Sequence, residues 1–138
     1  MKAEIIMVDG LSMVGRAESN HWVPMDGDEK YGGHEAGVKP MEMVLIALGA
    51  CTGMDVISIL RKMQVRLRKF KVEVEAERAK EHPKVFTKVH MKYVFGGENI
   101  PRDKVERAIE LSQTKYCSVS AMLRKVAEIT YEYEIVDE

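Results

Sequence analysis

An α+β domain spanning residues 1–138 is predicted from three observations. The segments FKVEVEAER, KVFTKVHMKYVF and EITYEYEIV alternate apolar and polar residues, the period of half-exposed strands. From Met43 to Met54 no residue is charged and apolar side chains occupy every side, which marks a helix surrounded by protein. The strands follow one another mostly through short connections, so mostly antiparallel hairpin pairing is expected rather than a parallel sheet.

Each element follows in turn. KAEIIMV and LSMVGRAES flank Asp9-Gly10, a tight-turn dipeptide, and predict an opening β-hairpin. The stretch NHWVPMDGDEKYGGHEAGVKP is a long connection with a short strand at Trp22 to Met25, and long connections inside small domains tend to be functional or covered. Pro40 suits the first turn of a helix, Glu42 favours the positive end of its dipole, and Arg61-Lys62 suit its C-terminus. Phe70, Val72, Val74 and Ala76 then line one face of a strand, with Lys71, Glu73, Glu75 and Glu77 on the other. After AKEHP a second strand completes a long hairpin with one wet face. Pro101 opens an amphipathic helix, PRDKVERAIELSQTKY, with Val105, Ala108, Ile109 and Ser112 on one face. CSVSAMLRKVAE reads as a further helix, and Ile129, Tyr131, Tyr133 and Ile135 share one face of the closing strand. One small sheet cannot cover the Met41–Leu60 helix on every side, so a homodimer that buries the remainder is expected.

Composition narrows the function classes. The formal net charge is −1 with both signs interspersed, which leaves no electrostatic footprint for nucleic acid or an anionic membrane. The start, MKAEIIMVDG, lacks the pattern of a signal peptide, and no apolar run is read as reaching the roughly eighteen residues of a membrane span, so a cytoplasmic protein with no membrane partner is expected. In that compartment the two cysteines are free, redox-active or buried rather than a permanent staple.

Cys51 sits mid-helix between Gly49-Ala50 and Thr52-Gly53. Two helical glycines cost about 1 kcal/mol each relative to alanine, so something must approach closely there: another backbone, a second helix or a small ligand. Cys117 follows a helix break at Lys115-Tyr116, where free amides and a lysine lower a thiol's pKa; the alternative is a buried helix-capping cysteine. Nothing local brings the two together. Zinc ligation by Cys51, Cys117, His21, His34, His82 and His90 is the competing reading, but no two of these six have short ligand spacing, and no metal is expected. A Cys–His nucleophile–base pair has no better support. Asp55, four residues after Cys51, shares its helix face, where its charge opposes thiol ionisation unless a cation such as Arg16, Lys39 or Lys115 compensates. Its other reading is a hydrogen-bonding role.

PMEMVLIALGACTGMDVISILRKM, AERAKEHPKVFTKVHMKY and QTKYCSVSAML together resemble the OsmC/Ohr family, osmotically inducible protein C and organic hydroperoxide resistance protein, over nearly the whole chain. The likeness is closest to the small OsmC-like branch. It implies an OsmC-like fold in which curved antiparallel sheets wrap around two central helices of an intertwined homodimer. It also implies that Cys51 attacks the peroxide to become a sulfenic acid, that Cys117 resolves it as a disulfide, and that a dithiol, lipoylated protein in the hydroperoxide resistance branch, closes the cycle. Neither flavin nor haem is needed. The family's glutamate falls at Glu42, although Glu42 lies nine residues before Cys51 where the hydroperoxide resistance pattern has ten, which at 100° per residue is the opposite face. The family's arginine is carried over to Arg16, the only arginine of the N-terminal strands.

The expected function is therefore a thiol-dependent peroxidase for organic hydroperoxides in oxidative-stress defence. Apolar neighbours of Cys51 (Val44, Leu48, Met54, Ile57) suit an alkyl or fatty-acid peroxide. The alternative is a non-catalytic dimeric redox sensor or apolar-ligand-binding protein, and the plainest is a structural dimer with incidental cysteines.

Overall fold

A computed structural model describes residues 1–137. In chain order these form β1 (Ala3–Asp9), β2 (Ser12–Ala17), β3 (Val23–Met25), α1 (Pro40–Lys62), β4 (Lys69–Arg78), β5 (Phe86–Gly96), α2 (Arg102–Leu111), α3 (Ser118–Leu123) and β6 (Glu128–Val136). They fall into two compact units, Met1–Leu45 and the chain from Ile46 onward.

The N-terminal unit is a three-stranded antiparallel sheet in the order β1-β2-β3. Asp9 pairs with Ser12, so the turn residues are Gly10 and Leu11, one position later than the dipeptide suggested. Gly10 has φ +58°, and a Cβ there would meet the Gly32 carbonyl oxygen at 2.6 Å, so glycine is required on both counts. The long connection is organised by Asp26, which is nearly fully buried. Its carboxylate accepts the Ser12 hydroxyl at 2.6 Å and the N–H groups of Gly27, His34 and Ala36 at 2.8, 3.2 and 3.1 Å. The Ser12 hydroxyl foremost, then these amides, hold the carboxyl well below the usual carboxylate range. At the start of α1, Glu42 Oε1 accepts the Lys39 N–H at 2.8 Å, filling one of the amides a helix start leaves free.

In the second unit the sheet order is β4-β5-β6. β4 and β5 pair antiparallel as the alternation requires, with Phe70 opposite Phe95, Val72 opposite Tyr93 and Val74 opposite Met91. β6 is the exception to the mostly antiparallel pairing, because it lies parallel to β5. After Gly96 the chain crosses back through α2 and α3 before re-entering the sheet, and a helical crossover delivers a parallel neighbour. Tyr93 and Phe95 of the central strand are fully buried, while the opposite face carries Lys92–Glu134 and His90–Glu132 pairs at 3.1 and 2.6 Å.

The glycines of α1 are explained by β4. A Cβ at Gly53 would lie 3.2 Å from the Phe70 ring and one at Gly49 3.4 Å from Val74, so the helix can lie this close to the strand only where its residues are small. α2 stops at Leu111 rather than at Tyr116: Ser112–Tyr116 form one wider π-helical turn, closed by the Cys117 N–H donating to the Ser112 carbonyl at 2.8 Å. α3 is likewise shorter than expected, ending at Leu123, and turns carry the chain to Ala127.

One further expectation is corrected. α1 has 23 residues and a mean hydropathy of 2.1 in its most apolar window, long and apolar enough by length and composition to cross a membrane. The expectation that no apolar run reaches about eighteen residues is thus overturned for α1, in which Thr52 and Asp55 stand without lowering the average far.

Gly53→Val is expected to destabilise the protein by about 1–3 kcal/mol through overpacking against Phe70, measured by urea unfolding. For Asp26, a depressed folded-state pKa means that its contribution is present above the ordinary carboxylate range and lost as pH falls through the folded value. Asp26→Asn should therefore lower Tm at neutral pH, and the gap from wild type should close in strong acid.

Candidate active site

The two cysteines, distant in sequence, meet in the second unit. Their side chains approach to 3.5 Å without a bond, and both are free thiols. The meeting depends on the π-helical turn: it sets Ser112 and Gln113 into the core and leaves Cys117 as the N-cap of α3, where its sulfur accepts the Ser120 N–H at 3.4 Å. The capping reading of Cys117 is thus realised together with its proximity to Cys51. Cys51 is half-buried, whereas Cys117 is 3% exposed. Burial pushes the Cys117 thiol above its ordinary pKa, against the opposing hydrogen bond from the Ser120 N–H.

Asp55 completes the cluster. One of its carboxylate oxygens and the two sulfurs all lie within 4.8 Å of one another. The i, i+4 spacing on α1 brings Asp55 beside Cys51, as the sequence indicated. The carboxylate also accepts the Ser112 hydroxyl at 3.0 Å.

Behind Asp55 runs a buried polar chain that sequence reasoning missed. Thr52 Oγ1 lies 2.7 Å from Ser112 Oγ and 2.6 Å from the Tyr93 hydroxyl. Gln113 Nε2 donates to both Thr52 and Tyr93, at 3.0 and 3.3 Å. Arg124 donates to the Gln113 side-chain oxygen at 3.0 Å and to its backbone carbonyl at 3.1 Å, which turns the amide nitrogen toward Thr52. Each hydroxyl has one proton, so the direction is fixed. Ser112 donates to Asp55, hence Thr52 donates to Ser112, and Tyr93 donates to Thr52. Burial pushes the Tyr93 phenol up to about 12, so it keeps the proton this arrangement needs. The chain ends on a carboxylate that only accepts. The available signal was weak: Thr52 and Ser112 stood on buried helix faces, but nothing marked Gln113 or Arg124.

The remaining sequence candidates each have a partner of their own. Arg16 donates to Glu4 and Asn20 at 3.2 and 2.9 Å and stacks over Trp22. Lys39 pairs with Asp28 at 2.7 Å, Lys115 lies over the Tyr116 ring, and Glu42 holds the Lys39 amide. Of the apolar residues placed around Cys51, Leu48 is fully buried and Met54 is 71% exposed. A cleft of about 300 Å³ opens beside the cluster, lined by Asp55, Ser58, Ile59, Lys62, Leu111 and Tyr116. His34 meets Ser12 and Asp9, and His90 meets Thr130 and Glu132.

Comparison with known proteins is consistent across sequence and fold. Residues 32–132 match the family model described as OsmC-like protein. Protein YhfA of Escherichia coli K12 is 40% identical over 136 residues, covering 99% of this chain and 98% of its own. A hypothetical protein from Aquifex aeolicus superposes with TM-score 0.82 at 27% identity, covering 99% of this chain and 97% of its own. An organic hydroperoxide resistance protein OsmC from Legionella pneumophila superposes with TM-score 0.71 at 12% identity, covering 96% and 95%.

Two outcomes are expected from this geometry. Thr52→Val keeps the shape but strands the Tyr93 and Gln113 donors, and should cost about 1–3 kcal/mol in urea unfolding. In timed alkylation of the folded, reduced protein read by peptide mass spectrometry, Cys51 should be modified before Cys117. Cys117 labelling should accelerate only at a pH above that of an ordinary thiol, and unfolding should abolish the difference.

Proposed function

The chain belongs to the OsmC-like family, and from that premise we propose that it is a thiol-dependent peroxidase that reduces organic hydroperoxides in the cytoplasm as part of oxidative-stress defence. The observation that carries the reading is the 3.5 Å approach of a half-buried and a buried cysteine, both free. The more accessible sulfur attacks and the buried one resolves. In the first step the Cys51 thiolate takes the terminal peroxide oxygen and a proton, giving Cys51 sulfenic acid and an alcohol. In the second the Cys117 sulfur displaces the sulfenic oxygen, which leaves as water with the Cys117 proton, and the disulfide forms. A dithiol, a lipoylated protein among the candidates, returns both thiols. No flavin or haem enters this cycle.

Closure needs the sulfurs to reach the roughly 2.05 Å of a disulfide, a movement small enough for side-chain rotation. Ile59, Leu111 and Tyr116 give the adjoining cleft apolar wall for an alkyl tail, and such burial contributes about 25 cal/mol per Å². Glu42 and Arg16 are assigned a part in the reaction by family likeness alone; in the single chain Glu42 accepts the Lys39 amide and Arg16 donates to Glu4 and Asn20. The functional unit is a homodimer: Ile46, Met54 and Ile57 of α1 are exposed in the single chain, as are Ile5, Met7 and Val8 of β1. A second copy, rather than lipid, is the proposed cover for α1, because its other side carries the Thr52–Asp55 polar chain.

Stopped-flow mixing of the reduced protein with cumene hydroperoxide tests this reading. Rapid loss of both thiols is expected, abolished in Cys51→Ser and replaced in Cys117→Ser by a dimedone-reactive sulfenic acid that overoxidises. Survival of both thiols for many minutes in excess peroxide would overturn it and favour the redox-sensing or apolar-ligand reading. Sedimentation should give a dimer mass.

A further inference from the structure

We propose that the reduced cluster of Cys51, Asp55 and Cys117 is a binding site for one zinc-class ion, held by two thiolates and a carboxylate with a fourth position open. Cys51 and Asp55 come from one face of α1, and Cys117 from the N-cap of α3. A zinc ion with sulfur ligands at about 2.3 Å and a carboxylate oxygen at about 2.0 Å sets tetrahedral edges of about 3.8 Å between sulfurs and about 3.5 Å between sulfur and oxygen. The cysteine side chains already approach to 3.5 Å and the three donor atoms lie within 4.8 Å of one another, so small side-chain rotations suffice.

Two features beyond the donor atoms fit a metal. Asp55 is oriented by the Ser112 hydroxyl at the end of the buried chain from Arg124, the kind of outer contact that fixes a ligating carboxylate. Ser120 Oγ is fully buried and has no hydrogen-bond partner among the described residues, yet it lies beside Cys117, whose sulfur already accepts the Ser120 N–H. A metal-bound thiolate gives that stranded hydroxyl an acceptor, which a neutral buried thiol does poorly.

The donor set selects the class of ion. One carboxylate and two sulfurs cannot satisfy magnesium or calcium, which take six or more oxygens, whereas mixed sulfur and oxygen in a tetrahedron suits zinc. Binding replaces the two thiol protons with the ion and leaves the assembly with one negative charge. The donors that the structure groups are Cys51, Asp55 and Cys117 rather than a histidine set, and the informative spacing was Cys51 to Asp55 across one helical turn. The site depends on reduction: a peroxide that draws two electrons from the thiolates and takes up two protons gives the disulfide, an alcohol, water and the free ion.

The test uses the full-length protein, fully reduced and stripped of metal by chelation, with both thiols counted before titration with cobalt(II). One equivalent should give an intense thiolate-to-cobalt charge-transfer band with tetrahedral visible bands, bleached by one equivalent of zinc(II). Cys51→Ser and Cys117→Ser should each lose most of the band, and Asp55→Asn should weaken binding at least tenfold while keeping the sulfur signature. Absence of the band in wild type with two titratable thiols, or its persistence in Cys51→Ser, would overturn the proposal. The peroxide reaction of the same metal-free sample is read separately, so a failed metal site and a failed peroxidase give different results.

Discussion

The structure depends on one buried junction, where Thr52 of α1, Tyr93 of β5 and Ser112 of the π-helical turn share hydrogen bonds of 2.6 and 2.7 Å. A polar junction inside an apolar core is tolerable only when every member is satisfied, and a stranded donor costs about 1–3 kcal/mol. Gln113, fixed by Arg124, completes the set on one side, and Asp55 completes it on the other. The junction therefore joins a helix, the central strand and the segment leading to Cys117. Any slippage of the turn would break several hydrogen bonds at once, and this holds the two sulfurs in reach.

The small residues around Cys51 serve the same end. Gly49 and Gly53 let α1 lie against Val74 and Phe70 of β4, while Thr52, on the adjacent helix face, reaches the junction. Packing and chemistry are coupled here: the closeness of helix and sheet places Thr52, and Thr52 helps place the Cys117 segment. The short α3 contributes by turning Arg124 back onto Gln113 instead of continuing the helix outward.

Much of this was legible in sequence. Alternation identified β4, β5 and β6, Pro40 and Arg61-Lys62 marked the bounds of α1, and the Cys51–Asp55 spacing gave their shared face. The parallel placement of β6 was not legible, because alternation reports which face a residue takes and says nothing of strand direction. The π-helical turn escaped for a related reason: SQTKY continues the helical pattern of α2, and the wider turn is chosen by tertiary contacts of Ser112 and Gln113 with Thr52 and Tyr93. The same holds for Arg124, because its pairing with Gln113, eleven residues earlier, joins two segments through tertiary contact alone.

The central claim is that the Thr52 junction holds two thiols in position to react as a pair. Its most direct test is the rate at which diamide, a thiol oxidant that needs no peroxide site, closes the Cys51–Cys117 disulfide in wild type and in Thr52→Val, under conditions where both remain folded. The account predicts closure roughly tenfold slower in the variant, with Cys51 alkylation unchanged. Equal closure rates in the two proteins would contradict it.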